Sequence, residues 1–244
     1  MARLLLLVVL ATVSALAPQV VARTSVATDN AWLIFVDQLH VSFAQTGRLR
    51  DLLRAVGAGL IQEGDRYLFR ANGPSAVSLT TGTLIDDREL VASAIKVMTG
   101  NALKDTDILA TGSGTAALDE VLYRANVALD AADEAIFALT RDAAPRQAII
   151  YVSSGYDVET FPALAERVRM LARRARENNI TMFAIDTRGL PSAIPDPRIA
   201  DALLRYTTAT RRSLAMMAEE TGGFVIDKAS DPGADLARIS AQMR

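Results

Sequence analysis

Three short runs in this chain are almost continuously apolar, and each ends in a polar turn: Ala31 to Val36, Gln147 to Val152, and Thr181 to Ile185. A strand with one wet face alternates apolar and polar side chains, so an unbroken apolar strand must be covered on both faces. Between these runs lie stripes at helical spacing. They are Leu49, Leu52, Leu53, Val56 and Leu60; Leu118, Val121, Leu122, Ala125 and Leu129; and Phe161, Leu164, Val168, Leu171 and Ala175. Strand and helix alternate, which implies an α/β fold: a doubly wound, mostly parallel sheet with helices on both faces. Right-handed crossovers then bring the loops after Val36, Val152 and Ile185 to one edge, where a site is to be sought.

Local signals refine this plan. Gly57 and Gly59 are expected to end the first helix early. Arg66 to Arg70 and Ser75 to Thr80, joined through Asn72-Gly73-Pro74, read as one antiparallel edge hairpin. Asp86 and Asp87 cap a helix carrying Leu90, Ala94, Ile95 and Val97-Met98. Thr106 to Ser113 is a polar connection, Asn178-Asn179 a helix stop, and Pro191 to Pro197 a Pro-rich loop on the same edge as the site. Leu214, Met217 and Ala218 belong to a helix ending at Gly222-Gly223. Phe224 to Ile226 gives a last strand, and Leu236, Ile239 and Met243 a last helix.

The first residues speak to the compartment. Met1-Ala2-Arg3 supplies a positive charge, Leu4 to Ala17 is almost wholly apolar, and Val20-Val21-Ala22 offers small residues for a signal peptidase, with Ala15-Leu16-Ala17 as an alternative. The apolar run is shorter than the roughly 20 residues a bilayer span needs. We read residues 1–22 as a signal peptide, 23–30 as a short leader and 31–244 as one domain. The product is an exported protein, periplasmic or secreted, with no stable membrane span after cleavage. The chain has no Cys and one His, which excludes a Cys nucleophile and zinc sites built on His and Cys. A net charge of −2 gives no global attraction for nucleic acid. Arg167, Arg169, Arg173, Arg174 and Arg176 crowd one helix, on the solvated face away from its apolar stripe.

Five segments fall in a telling order: Trp32-Leu33-Ile34-Phe35-Val36-Asp37, Gly114-Thr115-Ala116-Ala117-Leu118, Ile149-Ile150-Tyr151-Val152-Ser153-Ser154-Gly155, Phe183-Ala184-Ile185-Asp186-Thr187-Arg188-Gly189 and Glu220-Thr221-Gly222-Gly223. This order resembles the von Willebrand factor type A (VWA) domain, and especially a divergent branch of exported bacterial proteins. The resemblance implies a metal-ion-dependent adhesion site, in which loop hydroxyls and carboxylates hold Mg²⁺ and a partner's carboxylate completes the shell. Its first strand ends in Asp-x-Ser-x-Ser. Here Asp37 keeps the first position, but Leu39 and Val41 stand where the serines belong, and Ser42 lies one residue too far. Thr115 matches the family's threonine, and Ser154 replaces its second Asp. Asp157 is either a substitute ligand or a helix cap. The metal ligands implied are thus reduced to Asp37 and Thr115, a degenerate site.

Other chemistry is thinner. Gly112-Ser113-Gly114-Thr115-Ala116-Ala117 fits the Gly-x-Gly-x-x-Ala form of a dinucleotide turn, which leaves a nucleotide-binding enzyme as a rival reading. Glu63, Asp65, Asp86, Asp87, Asp105 and Asp107 sit at turns and helix starts, where short acidic side chains cap and turn the backbone. The expectation is therefore a noncatalytic module, with no cofactor, that binds a protein partner or serves as a scaffold. Its contact edge carries Asp37, His40, Ser42, Thr115, Ser154 and Asp157. A Mg²⁺-dependent adhesion domain using Ser42 and Asp157 as replacement ligands is the alternative.

Overall fold

The computed structural model describes residues 30–73, 87–109, 115–142, 144–189, 200–227 and 229–244. Five strands make one all-parallel sheet: β1 Asn30–Asp37, β2 Arg66–Asn72, β3 Arg146–Ser153, β4 Ile180–Asp186 and β5 Val225–Ile226, in the order β2-β1-β3-β4-β5. The architecture is α/β and doubly wound. Helices α1 Thr46–Leu60, α2 Arg88–Val97 and α7 Gly233–Gln242 cover one face. Helices α4 Thr115–Leu139, α5 Pro162–Glu177 and α6 Ala200–Glu219 cover the other, and a short α3 spans Asp105–Leu109.

The alternation along β1 sorts its side chains between two cores. Trp32, Ile34 and Val36 pack with Leu49, Leu53, Val91 and Leu236, while Leu33 and Phe35 pack with Leu129, Leu171 and Met217. Burial of each such side chain is worth about 1.5–3 kcal/mol. The continuous apolar runs thus describe strands enclosed on both sides, as expected.

Several expectations need correction. α1 does not end at Gly57 or Gly59 but continues to Leu60. Each glycine costs a helix only roughly 0.5–1 kcal/mol, and the burial of Val56 and Leu60 on the same stripe outweighs that. In α2 the buried stripe is Val91, Ala94, Ile95 and Met98, leaving Leu90 and Val97 exposed, a shift of one position around the helix. A short helix, α3, occupies part of the connection expected to be only polar loop. β1 begins at Asn30, whose N–H donates to Asp65 Oδ1, so the first strand starts at the last residue of the expected leader, one position earlier than expected. β2 pairs parallel to β1; Ser75 to Thr80, the other arm of the expected hairpin, lies outside the described residues, as do Asp86 and the Pro-rich stretch.

Other local signals are realised. Asp87 Oδ1 accepts from the N–H groups of Glu89 and Leu90 and caps α2. Asn178 closes α5, followed by Asn179 at φ 57°. Of the arginines on α5, Arg167 and Arg174 turn back onto α4, to Asn126 with Asp130 and to Asp133 respectively.

Candidate functional site

β1 is the central strand of its half of the sheet, so its last side chain emerges between the ends of β2 and β3. That residue is Asp37, with no exposed surface. Asn72 Nδ2, from the end of β2, donates to Asp37 Oδ1 at 2.9 Å. Ser153 Oγ, from the end of β3, donates to Oδ2 at 2.8 Å, and Tyr156 Oη donates to the same oxygen at 2.9 Å. His40 Nδ1 lies 2.9 Å from Oδ2, close enough for an ion pair but off the line of a hydrogen bond. Burial alone would raise the Asp37 pKa. The charge of His40, its contact, and the hydrogen bonds from Asn72 and Ser153 outweigh that and hold the carboxyl below the ordinary value of 3.8.

Two buried tyrosines complete the cluster. Tyr156 Oη and Tyr151 Oη share a short hydrogen bond, and the His40 ring meets the Tyr156 ring edge-on at 4.9 Å between centroids. Burial, then the charge of Asp37, pushes both phenols well above the ordinary 10.0, so they remain neutral donors. The turn after β3 allows this by way of Gly155, at φ +77°, where a Cβ would collide with the Thr210 carbonyl of α6. Ser213 Oγ accepts from Tyr156 N–H at 2.8 Å and fixes the turn against α6.

The loop after β4 is tied to the same place. Ser154 Oγ and Thr187 Oγ1 are 2.7 Å apart, and Gln45 Nε2 donates to the Thr187 carbonyl at 3.0 Å. Arg188 forks onto Asp186, with Nε and Nη2 each 2.8 Å from a carboxylate oxygen, and reaches the Thr207 carbonyl of α6 through Nη1. The three loops at the carboxyl ends of β1, β3 and β4 therefore converge as the topology requires.

A cavity of about 360 Å³ opens over this convergence. His40 and Ser42 reach it from the loop after β1, Ser154 from β3 and Arg188 from β4, and Arg124 closes it from α4. Of the residues expected at the edge, His40, Ser42 and Ser154 line this cavity and Asp37 lies behind His40. Asp157 faces an adjoining hollow instead; its Oδ1 accepts from the N–H groups of Glu159 and Thr160, in the turn before α5. Thr115 opens α4, and its side chain lies outside the described residues, as do Gly112 to Gly114. Leu39 lines the cavity, whereas Val41 is wholly buried in the core below.

Asn72, Ser153, Tyr151, Tyr156 and Arg124 were not singled out from the sequence. Asn72 carried a turn signal, and Tyr151 lay within a continuous apolar run. Their partnership with Asp37 spans up to 119 residues, a separation that no local pattern encodes.

No protein-family model matches the chain, and no curated protein matches it. Among solved structures it is similar to proximal thread matrix protein 1 from the mussel byssus, with a TM-score of 0.50 and 12% identity over 88% of this chain and 47% of that one. The PilB minor pilin from Streptococcus sanguinis gives a TM-score of 0.49 and 8% identity, over 88% of this chain and 61% of the pilin. The chain thus spans about half the length of the thread matrix protein. A likeness at 12% identity is one of fold.

Proposed function

We propose that this chain is an exported, noncatalytic binding or scaffold module of the VWA kind. Its contact surface is the edge carrying Asp37, His40, Ser42, Thr115, Ser154 and Asp157, with Asp37 as the buried post behind His40. The observation that carries the reading is the convergence of three loops, tied by Ser153 to Asp37, Gln45 to Thr187 and Ser154 to Thr187. Loops positioned by a rigid scaffold are where such folds bind partners. The signal-peptide pattern of residues 1–22 supports export to the periplasm or beyond. Among the described residues no helix is long and apolar enough to cross a membrane.

The donor set around Asp37 does not suit a magnesium ion. Asn72, Ser153, Tyr156 and His40 already occupy its two oxygens, and a cation would have to displace them from a carboxylate with no exposure. Asp157 is engaged by two backbone N–H groups of its own turn. Calorimetric titration with Mg²⁺ and Mn²⁺ should accordingly give no saturable heat.

The contact edge is tested with a photo-crosslinking amino acid placed at Ser42 or Asp157, and, as the control, at Glu63 on the opposite end of the sheet. The first two positions should capture a common protein partner in the exporting cell. Capture from Glu63 alone would move the contact surface elsewhere.

A further inference from the structure

We infer that the cavity beside His40 is a receptor for a carboxylate joined to an apolar group. The inference deepens the contact-edge reading, and rests on it only for what carries the carboxylate. The basic side chains lining the cavity are His40, Arg124 and Arg188, with no Asp or Glu among the described lining. A guanidinium has five N–H donors. Arg124 directs Nε to Glu120 and Nη1 to the Asn101 carbonyl, leaving Nη2 without a protein partner among the described residues. Arg188 uses one hydrogen of Nη2 on Asp186 and keeps the other. With Nδ1 of His40 turned to Asp37, Nε2 is the ring nitrogen left for the cavity. Ser154 adds a hydroxyl.

These donors are fixed before any ligand arrives. Asp186 and the Thr207 carbonyl clamp Arg188, Glu120 and the Asn101 carbonyl clamp Arg124, and Asp37 anchors His40. The acidic partners offset much of the positive charge, so recognition falls to aimed N–H groups rather than to a diffuse field. The two arginine side chains are only 19% and 21% exposed, a setting in which charge-assisted hydrogen bonds strengthen.

The remaining wall decides the rest of the ligand. Leu39, Leu103, Ile108, Val121, Leu203 and the ring of Tyr206 line it. An inorganic oxyanion would leave that surface wet, whereas a carboxylate with a short hydrocarbon body covers it. The volume lies within the range of small-ligand sites. The same chemistry can come from a free organic acid or from an acidic side chain flanked by apolar residues on a partner protein.

The test is a titration of the purified chain, followed by calorimetry and by amide chemical shifts around Ser154 and Tyr206. The probes are hexanoate, hexanamide, inorganic phosphate, and the peptide acetyl-Leu-Asp-Leu-amide with its Asn counterpart. Hexanoate or the Asp peptide should bind saturably, at least about tenfold more tightly than its uncharged counterpart, as expected for charge-assisted bonds in a partly buried site. Arg124→Met should remove that preference while thermal unfolding shows the variant still folded, and Arg124→Lys should restore part of it. Preference for hexanoate alone assigns a free acid, and for the peptide alone a protein partner. Equal binding of acid and amide, tighter binding of phosphate, or no binding of either carboxylate overturns the proposal. If carboxylates fail while crosslinks from Ser42 and Asp157 persist, the contact edge stands without this chemistry. If hexanoate binds and those crosslinks fail, the cavity is a small-molecule site.

Discussion

Two buried aspartates stand at opposite ends of β1, and they do different work. Asp65, just before β2, accepts from the backbone N–H groups of Asn30 and Gln62 and from the indole N–H of Trp32 at 3.0 Å. Those partners belong to the start of β1 and to the turn that leads into β2, so this carboxylate stitches one connection. Asp37 instead gathers side chains from the ends of β2 and β3 and from the loops beyond β1 and β3. One end of the strand is closed by two backbone N–H donors and one indole, beside an open hollow lined by Gln62, Glu63, Tyr67 and Arg88. The other is closed by side chains whose far atoms face a hollow. A buried carboxylate held mainly by main-chain groups fixes a turn; one held by side chains alone also places those side chains for something else.

Substitutions can break this contrast. The largest effect is expected for Asp37→Ala, which leaves a hydroxyl, a phenol, an amide and an imidazole without their acceptor, at a cost of about 3–5 kcal/mol in urea unfolding. It should also disturb amide shifts in all three edge loops. Asp65→Asn should cost about 1–3 kcal/mol and confine its shifts to the amino end of β1 and the turn before β2. If the two variants cost the same and disturb the same residues, the distinction between stitch and post is wrong.

A smaller effect sharpens the comparison through pH. Asp37 has a lowered folded pKa, so its contribution to stability is present above the ordinary aspartate value of 3.8 and is lost as pH falls through the folded value. Chemical unfolding across the acid range should therefore show a steeper loss in the wild-type chain than in Asp37→Asn. An identical acid limb in both would mean that the Asp37 carboxyl is not perturbed in the fold.

How much of this could be read in advance depends on the range of the interaction. The strands were legible because a segment covered on both faces is apolar throughout, and the stops at Asn179 and Gly222 were legible because left-handed backbone suits those residues. Gly57 and Gly59 misled because their local cost is smaller than the burial around them. The phase of α2 was missed because Leu90 and Val91 are equally apolar, and the core rather than the sequence chooses between them. At the candidate site, Asp37, His40, Ser42 and Ser154 come together as expected because the topology brings loops at strand ends to one edge. Asn72 was taken for a turn residue, since Asn-Gly is a turn signal whether or not the amide also reaches a buried carboxylate. Arg124 lies mid-helix, where nothing in its neighbours says that it overhangs a cavity.

The register of β1 against its neighbours has a consequence for how the sheet assembles. Asp37 stands level with Asn72, and Val36 with Val152, which sets Ser153 beside the carboxylate. A strand that slips by two residues keeps its apolar side chains on the same faces, so greasy burial alone cannot reject the error. The slip would put Arg70 or Pro74 level with Asp37 in place of Asn72, or Tyr151 or Gly155 in place of Ser153. Asp37 thus acts as a proofreader of alignment: only one seating of both flanking strands supplies its amide and its hydroxyl together.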